Sequence, residues 1–222
     1  MQKPTIIFDM DGTLLDLAYD NFIWNELLPQ RYAAAQQCTL AQSQAILFDF
    51  YQQHHHTLNW YSSQFWTQKV GLDMLAMQQE FSHKVALREG CLQLLNYLQQ
   101  HGYPCWLATN ADCAGLHFKL EAMQIAHYFE LIISSEQLGH AKEEAEFWPK
   151  LQALHAFDAK STYFIDDTER VLHAADQFGI GHLYSIAQPS SHAPKRESGD
   201  FIMLDQLTDL IAILQQQERR YA

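Results

Sequence analysis

The run Thr5-Ile6-Ile7-Phe8-Asp9-Met10-Asp11-Gly12-Thr13-Leu14-Leu15-Asp16 decides how the rest of the chain is read. Its first half is short, apolar and partly β-branched, the composition of a strand buried on both faces. Two carboxylates one residue apart, and then Gly12, bring that strand to an end. Gly12 permits a tight turn that most residues resist. Side chains alternate along a strand, so Asp9 and Asp11 project to the same side at its carboxyl end. In open α/β sheets that end is where ligands bind. Asp and Gly also form ordinary turns. A calcium loop of the EF-hand type fails, because Ile7 would fall at the first ligand place and Ala18 where a bidentate Glu belongs.

The chain of 222 residues allows one large domain or a core with a smaller insert. With 48% hydrophobic residues it can bury a substantial core. A net charge of −12 argues against long nucleic acids, since nothing here neutralises a row of phosphates. A small anionic substrate stays open to it, provided local cations reverse the field at the site. Cys38, Cys91, Cys105 and Cys113 show no CxxC or zinc-like spacing. With no signal peptide, a reduced, cytoplasmic protein is expected. No apolar run approaches the ~18–20 residues needed to cross a bilayer, so no membrane partner is expected.

From about Asp16 to Leu87 the strand signal fades and aromatics and glutamines accumulate. Leu27-Leu28, Ile46-Leu47 and Phe50-Tyr51 have helix-like spacing, and Pro29 is expected to interrupt or end the first helical stretch. This predicts an insert of some four helices after the first strand. Beyond it, helix and strand alternate. Cys91, Leu92, Leu94, Leu95 and Leu98 stripe a helix closed near Gly102. Tyr103 to Thr109 reads as the second strand, and Leu131-Ile132-Ile133 begins the third. A helix from about Glu143 to His155 precedes the fourth strand, Thr162 to Ile165. A helix closed by Gly179 leads to a fifth strand, His182 to Ile186. Gln188 to Gly199 reads as a surface loop, and Leu207, Leu210, Ile211 and Leu214 mark a last helix. Such alternation predicts an α/β fold, a Rossmann-like parallel sheet with helices on both faces.

Three further motifs sit at strand ends or helix starts. Thr109, closing the second strand before Asn110, can offer a hydroxyl and backbone N–H groups to a phosphate oxygen, or act as a turn or capping residue. Lys142 lies among glutamates just before a helix, either a solvated cation or a functional one. Asp166-Asp167 ends the buried Tyr163-Phe164-Ile165 run. Burying uncompensated charge is expensive, so paired aspartates there imply a cation.

In their order and spacing, Asp9-Met10-Asp11-Gly12-Thr13, Thr109, Lys142 and Asp166-Asp167 resemble the haloacid dehalogenase (HAD) superfamily. The resemblance implies a catalytic core over residues 1–15 and 88–222, with residues 16–87 as a helical cap of the first type. It implies Asp9, Asp11, Thr109 and Lys142 as catalytic residues. Asp9, Asp11, Asp166 and Asp167 would hold Mg²⁺, and Gly12, Thr109, Asn110 and Lys142 would bind phosphate. Two unit charges at 4 Å repel by about 4 kcal/mol at an effective dielectric near 20, so a phosphate dianion cannot enter four bare carboxylates. Mg²⁺, Lys142 and a protonated Asp11 bring the protein side to neutrality. In the implied mechanism Asp9, ionised with a pKa near 3.9, attacks phosphorus to form an aspartyl phosphate. Asp11, its pKa raised by the surrounding carboxylates, protonates the leaving oxygen and later activates water. A proton donor at Asp11 favours phosphate-ester hydrolysis over dehalogenation.

Two longer stretches, Asp9 to Trp24 and His56-Thr57-Leu58-Asn59-Trp60-Tyr61, resemble a bacterial subgroup, the GMP/IMP 5′-nucleotidases. This implies hydrolysis of purine nucleoside 5′-monophosphates. Trp24, Trp60, Tyr61 and Trp66 can offer faces on which a base stacks, and Asn21 or Asn59 can read its edge. The same aromatics can equally pack the cap's own core. His54-His55-His56 is a poor metal site because consecutive residues on a helix point different ways; His56 also falls within the resemblance. A phosphatase or phosphomutase acting on sugar phosphates or pyrimidine nucleotides, and a non-catalytic binding role, stand as alternatives.

Overall fold

The structure, a computed structural model, describes residues 3–221. Strand β1 (Ile6–Phe8) is followed by α1 (Ala18–Asn21), a π-helical stretch (Phe22–Leu27), α2 (Leu28–Gln36), α3 (Leu40–His54), a 3-10 turn (Leu58–Tyr61), α4 (Ser63–Val70) and α5 (Met74–Glu80). Then come α6 (Cys91–Gln100), β2 (Cys105–Thr109), α7 (Cys113–Met123), β3 (Leu131–Ser134), α8 (Ser135–Leu138) and α9 (Phe147–Leu154). The chain closes with β4 (Tyr163–Ile165), α10 (Glu169–Phe178), β5 (His182–Ile186), β6 (Ile202–Leu204) and α11 (Asp209–Tyr221).

All six strands are parallel, in the order β3-β2-β1-β4-β5-β6. Ile7 of β1 pairs with Trp106 of β2 on one side and Phe164 of β4 on the other. The chain therefore leaves β1 in both directions, and the crevice at the carboxyl ends of these strands is the natural ligand position of an open sheet. Burial on both faces explains the unbroken apolar run. Ile6 and Phe8 pack with Leu94, Leu98, Leu107 and Leu210, while Ile7 packs with Trp148, Phe164 and Leu172. Each such buried side chain contributes about 1.5–3 kcal/mol.

Several elements differ from the sequence expectation. The sheet has a sixth strand, β6, directly after the polar loop. Ile202 is 67% exposed and Leu204 2%, so this three-residue edge strand offers almost no pattern to read. The insert holds more than four helices, and Pro29 neither ends nor breaks the first. The chain runs on through the π-helical stretch, with Leu28 N–H donating to Ile23 O, and Pro29 sits in the first turn of α2. The helix expected from Glu143 begins at Phe147. The Lys142 carbonyl, which a helix would use, accepts instead from Trp148 Nε1 at 3.1 Å. Among the described residues no helix is long and apolar enough to cross a membrane.

Candidate active site

Three strand ends meet. Asp9 follows β1, Thr109 closes β2, and Asp166-Asp167 follow β4. Lys142, 2% exposed, comes from the turn before α9 and lies between two of them. Its Nζ donates to Asp9 Oδ1 at 2.5 Å and Asp166 Oδ2 at 2.7 Å. The backbone of Lys142 is pinned from both sides, its N–H by Asn110 Oδ1 at 2.9 Å and its carbonyl by Trp148. Asp166 Oδ1 accepts from the Thr168 N–H at 2.8 Å. Gly12, at φ +86°, is required where it stands. A Cβ there would lie 2.7 Å from Cγ and Oδ2 of Asp167, so only glycine lets that carboxylate close on the β1 turn.

Burial dominates the electrostatics. It pushes Asp9 up to about 7, with Lys142 pulling down and Asp166 pushing further up. This corrects the ordinary carboxylate value expected for Asp9, which assumed solvent around it. Burial likewise raises Asp166 to about 6 and Asp167 to about 7. Burial alone would lower Lys142, but Asp166 and Asp9 outweigh it and hold the ammonium above its usual range.

The donor set fits a small divalent cation. Carboxylate oxygens of Asp9, Asp166 and Asp167 lie within 4.8 Å of one another. Asp9 Oδ2 is buried without any hydrogen-bond partner, an orphaned charge that a cation would satisfy. Asp166 has both oxygens engaged, which leaves Asp9 Oδ2 and Asp167 the more available. A pH dependence follows. These acids bind protons more tightly folded (about 6 to 7) than unfolded (3.8), so their contribution to stability is present below the unfolded value and lost as pH rises through the folded ones. The metal-free protein should melt at lower temperature at pH ~7.5 than at pH ~5, with added Mg²⁺ raising the melting point more at the higher pH. A metal-free melting point that climbs over this interval contradicts the assignment.

Asp11 lines the same cavity as Asp9, Asp166 and Asp167, but its carboxylate is paired with a different lysine. Its Oδ1 accepts from Lys119 Nζ at 2.7 Å, and the same ammonium binds Asp20 Oδ1 at 2.8 Å and Oδ2 at 3.1 Å. Lys119 is 4% exposed, and burial together with Asp11 lifts Asp20 to about 6. Neither Lys119 nor Asp20 stood out in the sequence. Arg196 was also missed, inside the stretch read as a surface loop. Its Nη1 donates to the Asp167 carbonyl at 2.6 Å and its Nη2 lies 3.9 Å from Asp167 Oδ2.

A cavity of about 360 Å³ connects these groups to the helical insert. Asn21, Trp24, Trp60 and Tyr61 line it, as do Thr109 and Asn110. Asn59 and His56 do not. Asn59 sits in the 3-10 turn without reaching the cavity lining, and His56, at φ 63°, stands 3.9 Å from Glu143 Oε1. The aromatics serve both roles left open for them. Trp66 is buried, with ring centroids 5.8 Å from both Trp24 and Trp60, while the exposed edges of the cluster face the cavity. The Asn110 side chain accepts from the Lys142 N–H and donates to Glu143 Oε2 at 2.9 Å, which fixes its amide at the edge of the cavity. Tyr61 OH donates to Glu143 Oε1 at 2.8 Å, tying the insert to the core. Asn25 and Gln78 are further lining residues that the sequence did not mark. Gln78 is 7% exposed and its amide has no hydrogen-bond partner among the described residues.

Compared with known proteins, residues 6–184 match the family described as haloacid dehalogenase-like hydrolase. The GMP/IMP nucleotidase YrfG of Escherichia coli (strain K12) is 35% identical over 193 residues, which is 87% of each chain. The protein of that name from Shigella flexneri matches equally. Among solved structures, a HAD phosphatase from Thermococcus onnurineus superposes with a TM-score of 0.78 at 16% identity, covering 95% of this chain and 97% of that one. L-2-haloacid dehalogenase from Xanthobacter autotrophicus does so with a TM-score of 0.67 at 17% identity, covering 97% and 99%.

Proposed function

The chain belongs to the haloacid dehalogenase-like hydrolases, and from that premise we propose that this phosphoric monoester hydrolase acts on purine nucleoside 5′-monophosphates, GMP and IMP among them, with Mg²⁺ as cofactor. The observation that carries the reading is one cavity with two unlike ends. At its floor Asp9, Asp166, Asp167 and Lys142 offer charge for a phosphoryl group and a cation. At its roof Trp24, Trp60 and Tyr61 offer faces, and Asn21, Asn25 and Gln78 offer amides. We take the helices over residues 16–87 as the cap that selects the leaving group.

The chemistry follows from the floor. A carboxylate oxygen of Asp9 forms a bond to phosphorus as the bond from phosphorus to the nucleoside O5′ breaks, its electron pair leaving on that oxygen. Asp11 delivers its proton there. Water then attacks the aspartyl phosphate, Asp11 takes back a proton, and Asp9 departs as a carboxylate with release of inorganic phosphate. Lys142 neutralises charge on the nonbridging oxygens, helped by the Thr109 hydroxyl and the backbone N–H groups around Asn110. Mg²⁺, held by Asp9, Asp167, Asp166 and the Asp11 carbonyl, would screen nucleophile from dianion and stabilise the charge of the transition state.

Phosphate release from GMP, IMP, AMP, UMP and a sugar phosphate, with Mg²⁺ and with chelator, tests both halves. GMP and IMP should lead UMP by about tenfold in kcat/KM, the ~1.4 kcal/mol that a single stacked base supplies. Activity should vanish with chelator. A preference for UMP or for the sugar phosphate overturns the substrate while leaving the chemistry in place.

A further inference from the structure

Among the described residues six aspartates line the cavity, and two buried lysines pair four of them into separate groups. Lys142 takes Asp9 and Asp166; Lys119 takes Asp11 and Asp20. Lys119 projects from α7, in the core, whereas Asp20 belongs to α1, in the insert. An ammonium has three N–H donors, and those of Lys119 point to three carboxylate oxygens at 2.7, 2.8 and 3.1 Å. None is left for a phosphate. Lys119 lines the cavity yet is chemically saturated, so whatever it contributes to catalysis passes through Asp11.

We propose that Lys119, anchored by Asp20, is a positioning residue that holds the Asp11 carboxyl group toward the leaving oxygen and away from the cation-binding carboxylates. The inference rests on the phosphatase reading and on Asp11 as its proton donor. Asp11 is part-exposed to the cavity and follows the β1 turn, so without a partner its carboxyl group rotates freely. It would then be drawn to the same cation as Asp9 and Asp167, where it cannot protonate anything. A misplacement of about 1 Å in a proton donor costs on the order of 10²-fold in rate.

The experiment compares leaving groups. Because kcat/KM reports steps only as far as departure of the leaving group, it isolates the protonation that Asp11 performs. A nucleoside alkoxide needs that proton, whereas p-nitrophenolate leaves without it. Lys119→Met should lower kcat/KM for a nucleoside 5′-monophosphate by about 100-fold and for p-nitrophenyl phosphate by less than about threefold. Lys119→Arg should recover most of the loss. Asp20→Asn, which keeps an oxygen for the ammonium, should show the same split in weaker form, and it decides the matter if Lys119→Met does not fold. Equal losses on both substrates mean a merely structural role and overturn the proposal. Asp11→Asn is the control: if it shows no split either, Asp11 is not the proton donor, and the reading beneath the proposal falls first.

Discussion

Asp9→Asn is expected to abolish phosphate release while leaving the protein folded. The substitution keeps the shape of the side chain and an oxygen for Lys142 Nζ, but removes the nucleophile. Loss of a group that forms the covalent bond lowers kcat by about 10⁴-fold or more. Stability should move the other way. Burial penalises the Asp9 charge enough to push the acid up to about 7, so a neutral amide relieves strain that the native residue carries at neutral pH. Thermal melting of the metal-free variant at pH ~7.5 should therefore match or exceed that of the parent. Near-native turnover in this variant refutes the mechanism; a collapse of the fold refutes the account of its electrostatics.

Lys142→Met should damage both properties together. The ammonium is enclosed between Asp9 and Asp166, and removing one partner of such a buried group costs about 3–5 kcal/mol because the others are left uncompensated. Protonation of the two acids provides a partial escape, so the loss should be smaller at pH ~5 than at pH ~8. Activity should fall by about 10³-fold, since charge on the transferred phosphoryl group loses a fixed counter-charge. Equal losses relative to the parent at the two pH values would show that the lysine does not neutralise those carboxylates.

The parts legible in the sequence are those where a single local rule leaves no alternative. Ile6-Ile7-Phe8 is apolar at every position because both faces of β1 are covered. Asp166-Asp167 at the end of another buried strand requires a cation nearby, and Gly12 marks a turn that the Asp167 carboxylate crowds. What escaped reading depends on distance in the chain. Arg196 reaches Asp167 across 29 residues from a segment whose prolines and serines describe a surface. Asn110 stands out only as a neighbour of Thr109, while the bonds its side chain makes to Lys142 and Glu143 join positions more than 30 residues apart. Lys119 was the most accessible omission. With Leu116 and Leu120 it belongs to the buried side of α7, and a lysine in such a place demands acidic partners. The π-helical stretch carries no comparable mark, since its residues would suit an ordinary helix.

Asp112 belongs to two bodies at once. Its Oδ1 accepts from the Gly115 N–H and so begins α7, while its Oδ2 accepts from the Ser63 N–H at the start of α4, across the seam between core and insert. One carboxylate thus serves as a common hinge pin. If the insert lifts to admit a nucleotide, it either swings about this point, keeping the Ser63 amide protected from exchange with solvent, or tears free and leaves the Ser63 N–H and one Asp112 oxygen without their partner. Two residues before Ser63, the Tyr61 hydroxyl donates to Glu143, so a second tie between insert and core stands beside the first on the same short segment.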